Sequence, residues 1–221
     1  ELWSVGQVYG VLSLSLLFAG LGAVAYGVAK YDNYLAIITP VQSAEVRALF
    51  FAVLSVLLVA FALLRAHAKG WAPWEALLGG SSNFWPGIGL GLVFVALVLG
   101  VLAYAPDWPW LKGFYLDLSK LTPLMVAAVV VIPLFELFFR AFAIPALAER
   151  YSPALAVLVS ATLYTLVFGS PVALLFALGL ALSEIYRRRP GGLTPLVAQL
   201  TLHLGLVLAI AYSGWARALF L

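Results

Sequence analysis

Apolar positions in this chain fall into long unbroken runs, and the polar positions are gathered between them. The runs cover about 4–29, 46–66, 85–105, 121–148, 153–169, 171–187 and 194–213. Most are roughly 18 to 27 residues long, enough for a helix to cross a hydrocarbon layer of about 30 Å. Backbone groups in lipid must be satisfied within the segment, and no ten-residue apolar/polar alternation of the barrel kind is present. The pattern therefore predicts an all-α polytopic transmembrane helical bundle of seven to eight spans. A short eighth helix is a candidate within 31–44 or 71–80. The first run has no basic start and is too long for a signal-peptide core, so it is expected to be retained as a helix. Little chain remains outside the runs, which predicts a single integral membrane domain over 1–221.

Composition strengthens this picture. Hydrophobic residues make up 65% of the chain and charged residues only 10%, against about 25% charged in soluble domains. The formal charge of +3 is spread over run ends and forms no patch, so no nucleic-acid partner is expected. The absence of cysteine excludes disulfides, thiolate metal sites and a cysteine nucleophile. One methionine (Met125) and two asparagines (Asn33, Asn83) give a weak thermophile signature. Trp71, Trp74, Trp85, Trp108 and Trp110, with Phe114 and Tyr115, border the connections, where aromatic side chains anchor at the headgroups. Basic residues divide six (Arg65, Lys69, Arg150, Arg187, Arg188, Arg189) against five (Lys30, Arg47, Lys112, Lys120, Arg217) between the two sides. The Arg187–Arg189 cluster points its side toward the cytoplasm.

Ionisable groups inside the runs carry the chemical interest, because each costs roughly 2.5 to 3.5 kcal/mol on insertion scales. Glu136 and Arg140 lie within the fourth run at i,i+4 spacing, acid before base, so each offsets the other's desolvation. The pair reads equally as a structural lock and as a polar site. Gln199 and His203 repeat the i,i+4 spacing in the last run. Pro133 and Pro145 bracket the charged pair; each removes an intrahelical hydrogen bond, which predicts freed carbonyls able to accept from Arg140. His67 sits at a run end near Arg65 and Lys69, and Glu184 precedes Arg188 by one turn as an interfacial pair. Ser81-Ser82 follows two glycines with no partner base, and reads as loop. Neither a His-Glu-x-x-His pair nor a phosphate loop nor a dinucleotide fingerprint is present, so no metal and no cofactor is expected. Bound membrane lipid is expected.

The second half of the chain, from about Pro133 to His203, resembles the CPBP family of CAAX proteases and bacteriocin-processing membrane peptidases, also called Abi. The family's Glu-Glu-x-x-x-Arg motif reads here Phe135-Glu136-Leu137-Phe138-Phe139-Arg140-Ala141. Its Phe-x-x-x-His motif reads Tyr164-Thr165-Leu166-Val167-Phe168, and its His-x-x-x-Asn motif holds Gln199 and His203, four and eight residues after Pro195. The resemblance implies a CPBP-like core over about 121–213, preceded by variable N-terminal helices over about 1–120. It also implies an intramembrane endopeptidase site in which the first glutamate and the second-motif histidine activate water. Those two positions are Phe135 and Phe168, which neither accept a proton nor orient a water. The oxyanion positions have become Gln199 and His203, both still hydrogen-bond donors. Glu136 and Arg140 survive, in a role the family makes largely structural.

Three readings follow. The first is a catalytically impaired CPBP-like protein acting as scaffold or accessory subunit for another membrane protein. Gly87, Gly89, Gly91 and the Gly179–Ser183 pair would support its helix contacts. The second is an active glutamic-type endopeptidase using Glu136 and His203, with a peptide substrate. The third is a small transporter or channel, for which polar lining and an inverted repeat are wanting. In each case the expected location is a prokaryotic cytoplasmic membrane.

Overall fold

The computed structural model describes residues 4–31, 40–68, 70, 84–104, 122–168, 172–188 and 191–212. All regular structure among them is helical: α1 (Val5–Tyr31), α2 (Pro40–Ala68), α3 (Phe84–Tyr104), α4 (123–148), α5 (Pro153–Phe168), α6 (Val172–Arg188) and α7 (Leu193–Tyr212). The helical bundle expected from the apolar runs is thus present. Helix α2 starts at Pro40, earlier than its apolar run, and so takes up residues 40–44 of one eighth-helix candidate. The other candidate, 71–80, lies outside the described residues, as do Ser81-Ser82 and the Trp71, Trp74 and 107–115 connections. Trp85, at the start of α3, is 74% exposed, as an interfacial anchor would be.

Among the described residues, four helices are long and apolar enough to cross a membrane: Val5–Tyr31, Glu45–Ala68, Phe84–Val101 and Val126–Ala148. Pro153–Phe168 and Leu193–Ala209 are shorter apolar helices. At 1.5 Å per residue, α5 and α6 are each about 25 Å long, a little short of the hydrocarbon thickness.

Burial ranks the helices. In the apolar window of α4, 72% of residues are buried, against 28% in α1 and 17% in α3. Helix α4 is therefore the centre of the bundle and the other two lie at its rim. On α1 the buried positions are Val5, Val8, Leu12, Ser15, Ala19, Ala23 and Gly27, a narrow stripe at three- and four-residue spacing. Its opposite face shows Leu14, Leu17, Phe18, Leu21 and Val24. A soluble helix puts charge there; an apolar outer face is what a lipid solvent selects.

The helices alternate in direction. Ser55 of α2 reaches the Ile132 carbonyl of α4 at 3.3 Å, and Glu45, ten residues earlier, hydrogen-bonds Thr122, so α2 and α4 run parallel. Tyr164 of α5 meets Phe139 of α4, and Phe168 meets Phe135, so these two run antiparallel. Helices α3 and α7 are parallel and very close. A Cβ on Gly87 would lie 2.7 Å from Val197 Cβ, one on Gly91 would lie 2.6 Å from the Ala198 carbonyl, and one on Gly205 would lie 2.6 Å from Val95 Cγ2. Small residues allow this approach, which replaces the missing hydrophobic drive within lipid by dispersion contact. Gly89, by contrast, faces open space. Gly179 brings α6 onto Ala161 of α5 at ordinary contact distance.

A polar cluster fastens one end of the bundle. The Lys30 ammonium donates to Tyr26 at 2.9 Å and to the buried Glu45 carboxylate at 2.8 Å. It also stands 5.3 Å from both the Tyr26 and Tyr31 ring centroids. The Tyr31 hydroxyl donates to the same carboxylate. This ties α1 to α2, and through Thr122 to the start of α4.

Candidate functional site

Helix α4 is not one regular helix. It begins as α-helix (Pro123–Val131), tightens to 3-10 over Ile132–Leu134, opens to π-helix over Leu137–Ala143 and ends as α-helix over Ile144–Ala148. The two prolines explain the changes of period. Pro133 stands at the start of the 3-10 turn and Pro145 at the start of the last α segment. Neither can donate to the i−4 carbonyl, and each ring presses on that carbonyl. Between them the ladder is re-spaced, and π segments of this kind frequently mark functional sites.

Glu136 and Arg140 lie in this re-spaced segment with no exposure at all. Arg140 Nε donates to Glu136 Oε2 at 2.9 Å, the pairing that the i,i+4 spacing predicts. Arg140 Nη1 donates to Ser160 Oγ of α5 at 3.1 Å, and the guanidinium carbon lies 5.0 Å from the Tyr164 ring centroid. The expectation that Arg140 would donate to freed α4 carbonyls is not met. Serines from neighbouring helices reach other carbonyls of α4: Ser160 Oγ donates to that of Phe139 at 2.8 Å, and Ser55 Oγ lies against that of Ile132. The guanidinium is held instead by a carboxylate, a hydroxyl and a ring face, which leaves Nη2 over.

Gln199 joins through Tyr164, its Nε2 donating to the Tyr164 hydroxyl at 3.1 Å across α7 and α5. Tyr164 is also within interaction range of the Glu136 carboxylate. The structure therefore brings Glu136, Arg140 and Gln199 around one tyrosine. It does not tie His203 to them by hydrogen bonds: its Nδ1 is buried without a partner, as are Glu136 Oε1, Arg140 Nη2 and Gln199 Oε1.

Phe168 packs against Tyr164, and Phe135 packs against Phe168. The Phe135 and Phe168 ring centroids are 4.7 Å apart, edge to face. Phe168 also stacks on Phe51 of α2 at 5.1 Å and lies 4.7 Å from Tyr164. Phe135 stacks on Phe139 at 6.1 Å, and Phe139 meets Tyr164 edge-on at 5.6 Å. Phe135, Phe139 and Tyr164 are at most 1% exposed. Five aromatic rings from α2, α4 and α5 thus pack into one cluster, within contact distances worth about 0.5 to 1.5 kcal/mol per pair beyond burial.

Chemically, this is a neutral ion pair beside an apolar wall. No side chain able to accept a proton stands at positions 135 and 168. Among the described residues no group of three or more His, Asp or Glu could hold a metal ion. Ser160, Phe51 and Phe139 are the participants that sequence patterning alone did not single out. A serine twenty residues from Arg140 has no local signal, since a buried hydroxyl can equally donate to its own i−4 carbonyl, as Thr165 and Ser183 do.

No curated protein and no solved structure matches the chain. A family model does: the Type II CAAX prenyl endopeptidase Rce1-like model matches residues 118–217. Every residue of the ion-pair cluster, and every ring of the aromatic cluster except Phe51, falls inside that stretch. The resemblance read from the three motifs is therefore supported over residues 118–217, where the chain is similar to the Rce1-like CAAX prenyl endopeptidases of the CPBP family.

Proposed function

We propose that this protein is a catalytically silent CAAX protease-like membrane protein, which keeps the family's helical scaffold and works by holding another membrane protein. One observation carries the reading: the two water-activating positions are phenylalanines in direct ring contact at 4.7 Å. A general base is worth about 10² to 10⁴ in rate, and here both partners of that chemistry are replaced together. The surrounding rings, Phe51, Phe139 and Tyr164, fill the space beside them. The remaining carboxylate, Glu136, is engaged by Arg140 at 2.9 Å. A prokaryotic cytoplasmic membrane is the proposed location. In native membranes the protein is expected to run as a stoichiometric complex with a second membrane protein, unchanged by Glu136→Gln. A clean monomer after mild cross-linking would count against the scaffold role.

A second reading has one observation in its favour. Glu136 Oε1 and His203 Nδ1 are both buried and unpartnered, so the pair has acceptor capacity to offer a water. On this reading the chain cleaves a prenylated or leader-type peptide, and Glu136→Gln abolishes the cleavage. Equal inertness of wild type and Glu136→Gln across a substrate panel removes it.

A further inference from the structure

Five buried side-chain atoms among the described residues have no hydrogen-bond partner: Ser15 Oγ, Glu136 Oε1, Arg140 Nη2, Gln199 Oε1 and His203 Nδ1. Three of the five surround Tyr164, and a fourth lies one turn along α7 from them. Glu136, Arg140 and Gln199 each reach Tyr164, and His203 is one helical turn beyond Gln199 on α7. Polar atoms buried without partners are rare in native proteins, and those that occur are usually completed by ordered water.

The chemistry of the four atoms defines what completes them. Arg140 Nη2 can only donate, whereas Glu136 Oε1 and Gln199 Oε1 can only accept. His203 Nδ1 accepts when the ring is neutral with its proton on Nε2. The charges of Glu136 and Arg140 cancel in their own ion pair, so the neighbourhood asks for no net charge. A neutral molecule that both donates and accepts fits this set. A bulky one does not, because Phe135, Phe139 and Tyr164 close the adjoining side.

We propose that ordered water molecules bridge the Glu136–Arg140 pair to Gln199 and His203, forming an internal hydration site beside the aromatic cluster. The site links α4 to α7 where no direct side-chain bond between Arg140 and Gln199 or His203 exists. It stands independently of the proposed function: a silent scaffold needs this water to satisfy buried groups, and a working peptidase would need it for chemistry. Hydration is read without any substrate, so its failure is separable from the failure of the functional reading.

The test is infrared difference spectroscopy of the lipid-reconstituted protein in ordinary and ¹⁸O-labelled water, with a structure at a resolution that shows ordered solvent. The expected result is a band of strongly hydrogen-bonded water that shifts with the isotope, and density within about 3.2 Å of both Arg140 Nη2 and Gln199 Oε1. In Gln199→Leu the band should shrink and the bridging density disappear, while the Glu136–Arg140 pair remains. Should Gln199→Leu fail to fold, the wild-type band and density alone decide. An isotope-insensitive spectrum, or density showing the four atoms bonded directly to one another, overturns the proposal.

Discussion

Arg140 is buried on every side, and its partners define what its loss would do. Replacing it by Met leaves Glu136 as a buried charge without its cation, which typically costs about 3 to 5 kcal/mol. The double change Glu136→Met with Arg140→Met removes both charges, and is expected to cost less than Arg140→Met alone. Denaturant unfolding in detergent micelles measures the difference; a double variant weaker than the single one would contradict a structural ion pair. Phe135→Ala should cost about 3 to 5 kcal/mol, because it opens a cavity among Phe51, Phe139 and Phe168. A loss below about 1 kcal/mol in the same unfolding measurement would mean the cluster is loosely packed. At this scale the sequence was informative where contacts are local. The i,i+4 spacing exposed the Glu136–Arg140 pair directly. It did not expose Ser160 or Phe51, whose partners lie on other helices. Glu45 and Lys30 were likewise silent: a charge at a run boundary reads as solvated until packing shows the carboxylate to be buried.

Between helices, the contrast among glycines is sharp. A Cβ at Gly91 would stand 2.5 Å from Thr201 Cβ and 2.6 Å from the Ala198 carbonyl, whereas one at Gly89 meets nothing within 4 Å. Backbone cannot give way as a flexible side chain can. Gly91→Ala is therefore expected to part α3 from α7 and lose about 1 to 3 kcal/mol. Gly89→Ala should be neutral or gain up to about 1 kcal/mol from helix propensity. Thermal melts of the two variants should separate in opposite directions; equal melts would contradict the close α3–α7 approach. The glycine spacing was legible as a contact signal, but not its partner, and Gly89 was a false member of the set. The segmented course of α4 was legible only as two proline interruptions. The π segment between them depends on how the ladder recovers, which a run of apolar residues does not encode.

Over the whole molecule, the alternation of helix directions puts Arg150 and Arg188 at one end and Tyr104, 94% exposed, at the other. The chain has no cysteine, so single replacements can be labelled cleanly. Arg150→Cys and Arg188→Cys should react with an impermeant thiol reagent from the same membrane face, the cytoplasmic one by the positive-inside tendency, and Tyr104→Cys from the opposite face. Labelling of all three from one face would break the topology. The membrane class and the family resemblance were legible because lipid imposes apolar runs and because the Glu-x-x-x-Arg spacing is present. Phenylalanines at 135 and 168 were legible in the sequence, but not the five-ring cluster they join, since Phe51 comes from outside the matched region. On the proposed reading, this cluster stands where a working relative would activate water. The most direct measurement is cleavage of a farnesylated CAAX peptide by the purified, lipid-reconstituted wild type, by Glu136→Gln and by the double variant Phe135→Glu with Phe168→His. The expected result is no turnover above background for the first two and measurable turnover for the third. Cleavage by wild type that Glu136→Gln abolishes would contradict the account.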